Sequence, residues 1–149
     1  MRSIKKKFIY IPNSTQNNIS LVYKVAKIAN IECFSIWLYP ESKKKFKKYF
    51  RGYCTKEDYI EPVTQYTKKK KMIKNLLIFL KKEALLKVIN KKSLILNLDS
   101  ITFYNQSSTE WIVSYIPHEK MIIVKYSNKI KNKLEKRSVD YSLSAPENF

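Results

Sequence analysis

The side chains whose chemistry most clearly indicates a function are the basic and aromatic residues interspersed between positions 43 and 71. Lysine ammonium groups neutralise phosphates and release counterions, and tyrosine rings can stack on bases. The pattern predicts a polyanion-binding surface, and an ordinary solvated hairpin is the alternative interpretation. The predicted binding residues are Lys43, Lys44, Lys45, Lys47, Lys48, Tyr49, Arg51, Tyr53, Lys56, Lys68, Lys69, Lys70 and Lys71.

The overall charge agrees with such a surface. The chain has 149 residues and a net charge of +18, from 30 Lys+Arg against 12 Asp+Glu. A charge of this size indicates a nucleic acid or an anionic membrane as partner. The chain is also rich in Ile, Asn, Tyr and Phe, which like Lys have AT-rich codons, so codon bias is an alternative explanation for part of the lysine excess. Hydrophobic residues make up 44% of the sequence, which is enough to form the core of one domain.

Other kinds of chemistry find little support in the sequence. Cys33 and Cys54 form no CxxC pair, and the single histidine, His118, stands far from both. These residues predict two free thiols, no metal site and no cofactor. No catalytic residue is predicted, because no nucleophile or orienting partner stands near His118. No apolar run reaches about 18 residues, so we predict no membrane span, and the N-terminus does not have the pattern of a secretory signal.

The elements around the basic residues can be predicted from periodicity. Residues 8–11 form a short apolar strand before Pro12, and Asn13 or Ser14 can cap the helix that follows. The helix ends at Asn30, a residue type that tolerates the left-handed conformation. An alternating strand, Glu32–Tyr39, leads into an arm at about residues 40–58, and a strand at Tyr59–Thr67 returns antiparallel. The helix is predicted from the apolar stripe of Ile19, Val22, Tyr23, Ala26 and Ala29.

The following segments complete the predicted domain. Leu76–Ile89 has apolar residues at helical spacing, and Ser93–Leu98 alternates like a strand. The element order is then βαββαβ, which predicts an α+β, ferredoxin-like antiparallel sheet with two helices on one face and a long protruding β-hairpin. This domain would comprise residues 1–99.

Residues 100–149 are predicted to form a C-terminal extension. Trp111–Ile116 and Met121–Tyr126 are apolar runs around a four-residue turn and predict a second β-hairpin. Because both runs have low charge, we expect this hairpin to contact protein at least as much as RNA. Residues 128–137 are basic with helical character, and residues 138–149 are polar and predicted to be irregular.

Several of these features occur together, at the same spacing, in a known family. Over residues 22–71 the chain resembles small-subunit ribosomal protein ten, and the resemblance extends more weakly from Phe8 to Leu98. The family has Gly where Asn30 stands and Leu where Tyr39 stands, so these two positions differ. The matching features are Ala26-Lys27, Pro40, Lys43 to Phe46, Lys56 and Lys68 to Lys71.

The resemblance implies a non-enzymatic structural constituent of the small ribosomal subunit. Its partners would be small-subunit rRNA and neighbouring ribosomal proteins of the subunit head, with no membrane, cofactor or small-molecule substrate. The AT-biased composition suggests an organelle-encoded protein of the mitochondrial ribosome, which would explain the absence of a targeting segment; a cytoplasmic ribosome is the alternative location. The matched residues leave open whether the family's role in transcription antitermination is retained.

Two other protein classes remain possible from the residues alone. A strand, the polar loop 13–18, a helix and a second strand could begin a Rossmann-like nucleotide-sugar transferase. The loop contains no glycine, which makes close approach of its backbone to a phosphate difficult. A phage or plasmid nucleic-acid-binding protein would also fit the charge, although no helix-turn-helix with its usual glycine turn is visible.

Overall fold

The computed structural model describes residues 8–13, 18–38, 46–63, 72–105 and 109–145, without the side chains of residues 54 and 55. Within these ranges the protein has one seven-stranded antiparallel sheet and four helices, which confirms the predicted α+β class. The strands are β1 (Phe8–Pro12), β2 (Cys33–Leu38), β3 (Cys54–Ile60), β4 (Ile73–Phe79), β5 (Leu98–Tyr104), β6 (Trp111–Ile116) and β7 (Met121–Lys125). The helices are α1 (Ile19–Ile28), α2 (Lys82–Asn90), α3 (Lys92–Ile95) and α4 (Asn128–Lys136).

The strand order across the sheet is β1-β7-β6-β5-β2-β4-β3. Helix α1 packs between α2 and α4, and these helices cover one face of the sheet. Alternate strand residues reach the core beneath them, including Ile9, Phe34 and Phe103, all fully buried. At about 25 cal/mol per Å² of buried apolar surface, this helix–sheet core is the main source of stability.

The start and end of α1 follow from two asparagines. Asn18 is the N-cap, because its side-chain oxygen accepts a hydrogen bond of 3.2 Å from the backbone N–H of Leu21. The prediction that Asn13 or Ser14 caps this helix is therefore wrong. Asn30 has a φ of 56° and follows the last turn, as predicted from its tolerance of the left-handed conformation.

The predicted hairpin between Glu32–Tyr39 and Tyr59–Thr67 is wrong. Strand β4 lies between β2 and β3 and pairs antiparallel with both, so β2 and β3 run parallel and do not touch as partners. The returning strand begins earlier than predicted, at Cys54, and ends at Ile60. Residues 39 and 64–67 of the two predicted strands lie outside the described residues. Among the described residues the strand pairing of the ferredoxin-like layout is not found, and the sheet has more strands than that layout.

The source of this error is β4, whose last residues, from Leu76 to Phe79, fall within the predicted helix Leu76–Ile89. Leu77 and Ile78 are both buried, on opposite faces of the sheet. A strand buried on both faces does not alternate, and a short apolar run of this kind cannot be distinguished from a helix by periodicity. Helix α2 begins only at Lys82.

The predicted strand Ser93–Leu98 is also wrong. Its first residues belong to the short helix α3, and β5 starts at Leu98. The alternation of leucines does not mark one buried face, because Leu94 is fully buried whereas Leu96 is 70% exposed. Leu94, in α3, packs in the core beneath the helices. Leu96 is the C-cap residue of α3, and its side chain lies at the surface.

The predicted hairpin of β6 and β7 is confirmed, and so is a helix within residues 128–137. Both strands belong to the same sheet as the rest of the chain, because β6 pairs with β5 and β7 pairs with β1. The predicted division after Asp99 falls inside β5. Ser142, within the segment predicted to be irregular, exchanges two backbone hydrogen bonds of 2.8 Å with Tyr10.

The second face of the sheet is partly enclosed by the ribbon of β3 and β4. Backbone pairing of β2 with β4 ends at Phe34↔Ile78, and beyond it Asn75 Nδ2 donates to the carbonyl of Ile36 at 3.1 Å. At the far end of the ribbon, the N–H of Glu61 donates to the carbonyl of Thr109 at 3.0 Å. The ribbon thus folds over the sheet and forms a second buried cluster.

Candidate nucleic-acid interface

The outer surface of the helical layer, comprising α2, α1 and α4, is rich in lysine. Each helix turns its apolar residues toward the sheet, as Val22, Leu85 and Leu134 do, and so its lysines point outward. Carboxylates in these three helices are few, namely Glu83 and Glu135. The basic side chains of this layer are Lys24, Lys27, Lys81, Lys82, Lys87, Lys91, Lys129, Lys131, Lys133, Lys136 and Arg137.

The turn formed by residues 46–53 extends this surface and is anchored to α2. Phe50 is fully buried in the main core, and its N–H donates to the carbonyl of Phe46 at 3.1 Å. The hydroxyl of Tyr49 donates to the carbonyl of Lys87 at 2.6 Å. The turn is therefore packed against the body, and the predicted protruding arm is wrong for these residues.

Tyrosine rings of the turn lie beside lysine ammonium groups of α2. The Nζ atoms of Lys87 and Lys91 are 4.6 and 4.5 Å from the centroid of the Tyr49 ring. The Nζ atom of Lys81 is 5.9 Å from the centroid of Tyr53. Cation–π contacts of this kind contribute about 0.5–1 kcal/mol each at exposed sites, so they restrict where the ammonium groups lie.

The predicted binding residues are distributed over different parts of the molecule. Lys47, Lys48 and Arg51 are exposed in the turn, and Tyr49 and Tyr53 are half-buried there. Lys56 lies on β3, and its cross-strand partner Leu77 belongs to the second buried cluster on the opposite face of the sheet from the helices. The remaining predicted residues, Lys43, Lys44, Lys45, Lys68, Lys69, Lys70 and Lys71, lie outside the described residues.

The prediction missed the lysines of the helical layer. Lys87 and Lys91 are four residues apart and lie beside the same tyrosine ring. Side chains at this spacing share one face of a helix, so an amphipathic analysis of residues 82–91 could have found the pair. This pair is not part of a dense charge run, because residues on one face of a helix recur every three or four positions.

The described ion pairs lie outside the helical layer. Lys56 Nζ is 3.3 Å from an Asp58 oxygen at the β3 edge, and His118 Nε2 is 3.7 Å from Glu119 in the exposed turn between β6 and β7. The Asp58 carboxylate also accepts a hydrogen bond from the N–H of Tyr59, and both contacts lower its pKa, the backbone bond most. This edge strand is thereby protected by its own charged residues.

The second face of the sheet contains polar groups that bond to one another. The hydroxyl of Tyr104 accepts from Trp37 Nε1 at 3.2 Å and donates to the Glu61 carbonyl at 2.7 Å. Lys125 Nζ is 2.9 Å from Glu61 Oε1 and 4.7 Å from the Trp111 ring centroid. Burial raises the pKa of Tyr104 far above its ordinary value, so this hydroxyl keeps its proton.

A chain of hydroxyls lies beside this network. Thr102 Oγ1 is 3.0 Å from Ser100 Oγ and 2.9 Å from Ser114 Oγ, and all three residues are buried. The thiol of Cys33 is free and donates to the Tyr104 carbonyl at 3.3 Å. Burial chiefly, with a smaller contribution from Glu32, raises the pKa of Cys33 from 9.0 to about 11, against the effect of Lys56. These groups are arranged to satisfy one another inside the fold.

In the part of the chain that the structure describes, no group of three or more His, Cys, Asp or Glu side chains could hold a metal ion. None of the described helices has the length and apolar character needed to cross a bilayer.

Comparison with known proteins identified no relative. The chain matches no family model, no curated protein and no solved structure.

Proposed function

We propose that the protein binds RNA through the outer surface of its helical layer and the turn 46–53, and that it is a non-enzymatic constituent of the small ribosomal subunit. The observation that carries the proposal is the concentration of lysines on this one surface. Phosphate neutralisation by lysines supplies a large share of nucleic-acid affinity. The three helices contain only two carboxylates, Glu83 and Glu135, so lysines greatly outnumber carboxylates in this layer.

The ribosomal part of the proposal rests on the resemblance over residues 22–71. Of the matching residues, Lys27 is exposed on α1 within the proposed surface, whereas Lys56 is exposed on β3 on the opposite face of the sheet and is not part of that surface. The family's hairpin arm is not part of the proposal, because β3 pairs with β4 and not with β2. The turn 46–53 and α2 take the role that the resemblance gives to the arm.

The partners in this proposal are small-subunit rRNA and neighbouring proteins of the subunit head. We place the protein in the mitochondrial ribosome because of its AT-biased composition. The cytoplasmic ribosome is the alternative location. A role in antitermination is not proposed. The Rossmann-like transferase is not favoured, because the described strands pair antiparallel whereas a Rossmann sheet is mostly parallel.

The decisive experiment is sedimentation of the tagged protein in a lysate through a sucrose gradient at high salt. A ribosomal constituent should remain with small subunits, whereas a loosely bound basic protein should move to the top fractions. RNA crosslinked to the protein should be small-subunit rRNA. A protein that leaves the subunit and crosslinks to DNA would contradict the proposal and favour the phage or plasmid DNA-binding alternative.

A matched pair of variants separates surface charge from fold. Lys87→Ala with Lys91→Ala removes two charges from the helical layer. Lys56→Ala with Lys120→Asn removes two charges elsewhere, and Asn tolerates the left-handed φ of 51° at residue 120. Only the first variant should lose association with subunits. Equal loss in both variants would show that net charge, and not this surface, is responsible.

A further inference from the structure

The tyrosine rings of the turn 46–53 lie beside lysine ammonium groups of α2. The Tyr49 ring has two ammonium groups within 4.6 Å of its centroid, and its hydroxyl is bonded to the Lys87 carbonyl. The ring of Phe50 meets it edge-on at 5.0 Å between centroids. A ring surrounded in this way does not offer a free face to a base, although stacking on Tyr49 was expected from the sequence.

The spacing of the basic helices gives a second indication. Packed helices lie about 8–10 Å apart, so the lysines of α2 and α4 are separated by about 16–20 Å across α1. A rigid ligand with phosphates at both positions can contact both helices without being ordered on binding. A flexible single strand would lose conformational entropy in following the same surface.

The density of phosphates points in the same direction. A duplex carries one charge per about 1.7 Å of its axis, compared with about 3.4 Å for one strand. Proteins that bind single strands without sequence preference combine a basic groove with exposed aromatic rings that stack on bases. The turn and α2 provide the ammonium groups, but their rings, Tyr49 and Tyr53, are half-buried and face lysines.

We propose that the helical layer binds the phosphate backbone of a double-stranded nucleic acid, with Tyr49 positioning Lys87 and Lys91 for the phosphates. This inference rests on the proposed function, since it specifies the ligand of the same surface. Tyr49 is a positioning residue here and does not itself contact the nucleic acid. The charge and shape of this surface fit both duplex RNA and duplex DNA, and the binding test below measures the affinity for each.

The binding test compares duplex RNA, duplex DNA and single-stranded RNA of equal length by fluorescence anisotropy at several salt concentrations. We expect the duplexes to bind at least about tenfold more tightly than the single strand. Lys87→Ala with Lys91→Ala should flatten the slope of log affinity against log salt by about 2 for a duplex. Tighter binding of the single strand would overturn the inference.

The role of Tyr49 is tested by a double-mutant cycle. Tyr49→Leu removes the ring and should weaken duplex binding about threefold to tenfold, while Tyr49→Phe keeps the ring and should retain most of the affinity. In the Lys87→Ala, Lys91→Ala background, Tyr49→Leu should have no further effect, because its lysines are gone. An effect that persists in that background would show direct contact and overturn the positioning role.

Two controls keep the results interpretable. Melting temperatures of all variants exclude loss of fold, and if Tyr49→Leu unfolds, the same cycle is measured with Tyr49→Met, which also removes the ring but fills irregular gaps. Duplex preference without sedimentation on subunits would support this inference and contradict the ribosomal proposal. Sedimentation on subunits with preference for single strands would do the reverse.

Discussion

The helix-covered face and the enclosed face of the sheet each have lysine beside an aromatic ring, but the other contacts of those lysines differ. On the helical side, Lys87 and Lys91 are held beside Tyr49 at the outer surface of the helical layer, which we propose binds a nucleic acid. On the enclosed side, Lys125 is held beside Trp111 and bonded to the buried carboxylate of Glu61. A lysine next to an aromatic ring is therefore not by itself a sign of a binding site.

The difference lies in what completes each cluster. On the enclosed side, the carboxylate of Glu61 accepts a hydrogen bond from Lys125. The hydroxyl of Tyr104 donates to the Glu61 carbonyl and accepts from Trp37 Nε1, so donors and acceptors are paired inside the protein. On the helical side, the ammonium groups lie over a ring that supplies no formal charge. The comparison predicts that changes on the enclosed side alter stability and that changes on the helical side alter binding.

The largest expected effect comes from removing residues 100–149. Truncation there deletes most of β5 together with β6, β7 and α4, so β1 loses its described partner β7 and α1 loses one neighbour. We expect the fragment 1–99 to show no cooperative thermal transition in circular dichroism. A fragment 1–145, which keeps every described residue, is the control. A cooperative transition in fragment 1–99 would mean that residues 1–99 and 100–149 do not share one core.

The next effect concerns the enclosed face. Tyr104→Ala removes a fully buried ring and should lower the free energy of unfolding by about 3–5 kcal/mol. Tyr104→Phe leaves Trp37 Nε1 and the Glu61 carbonyl without this partner and should cost about 1–3 kcal/mol. Urea denaturation measures both. Neither variant should change nucleic-acid affinity at temperatures where it is folded; a tenfold change would place binding on the enclosed face.

A smaller effect is expected from α4, at the other side of the helical layer. Lys129→Gln, Lys133→Gln and Lys136→Gln together should flatten the salt slope by about 3 for a duplex, since each phosphate contact contributes about 0.9. The free energy of unfolding should change by less than about 0.5 kcal/mol per substitution, because only Leu134 of this helix is buried. An unchanged slope would restrict the binding surface to α2 and the turn.

These two faces also show what could be predicted from the sequence. Strands β1, β2, β6 and β7 and helix α1 were located, because each has a regular apolar pattern with a clear boundary such as Pro12 or Asn30. The class α+β followed from these elements. The strand partners of β2 could not be predicted, because strand pairing depends on residues distant in sequence. Nothing in the sequence of β2 itself indicates that it pairs with β4 and not with β3.

The candidate surface was predictable only in part. The dense charge of Lys47, Lys48 and Arg51 predicts them as binding residues, and the structure shows them exposed in the turn whose Tyr49 contacts Lys87 of α2. The role of Tyr49 could not be predicted, because it depends on the packing of the turn against α2. Glu61 and Tyr104 are similar: their hydrogen bond spans residues 43 apart in the chain and depends on the folding over of the β3–β4 ribbon.

The smallest effect concerns Cys33, whose thiol lies in the enclosed face. Its pKa is raised from 9.0 to about 11, chiefly by burial. Above pH 9 the unfolded chain loses the thiol proton while the folded chain keeps it, so the unfolded state binds fewer protons and stability falls as the pH rises from 9 toward 11. The contribution of the thiol is therefore fully present below pH 9.

Lysines also titrate near this range, so the measurement is a difference between two proteins. The free energy of unfolding of the wild type should fall more steeply between pH 9 and 11 than that of Cys33→Ala. Alkylation of the native protein at pH 8 should spare Cys33, because the thiolate is the nucleophile and the thiol is fully buried. Mass spectrometry of tryptic peptides distinguishes Cys33 from Cys54. Rapid labelling of Cys33 under native conditions would show that the ribbon of β3 and β4 opens readily and that the enclosed face is accessible to ligands after all.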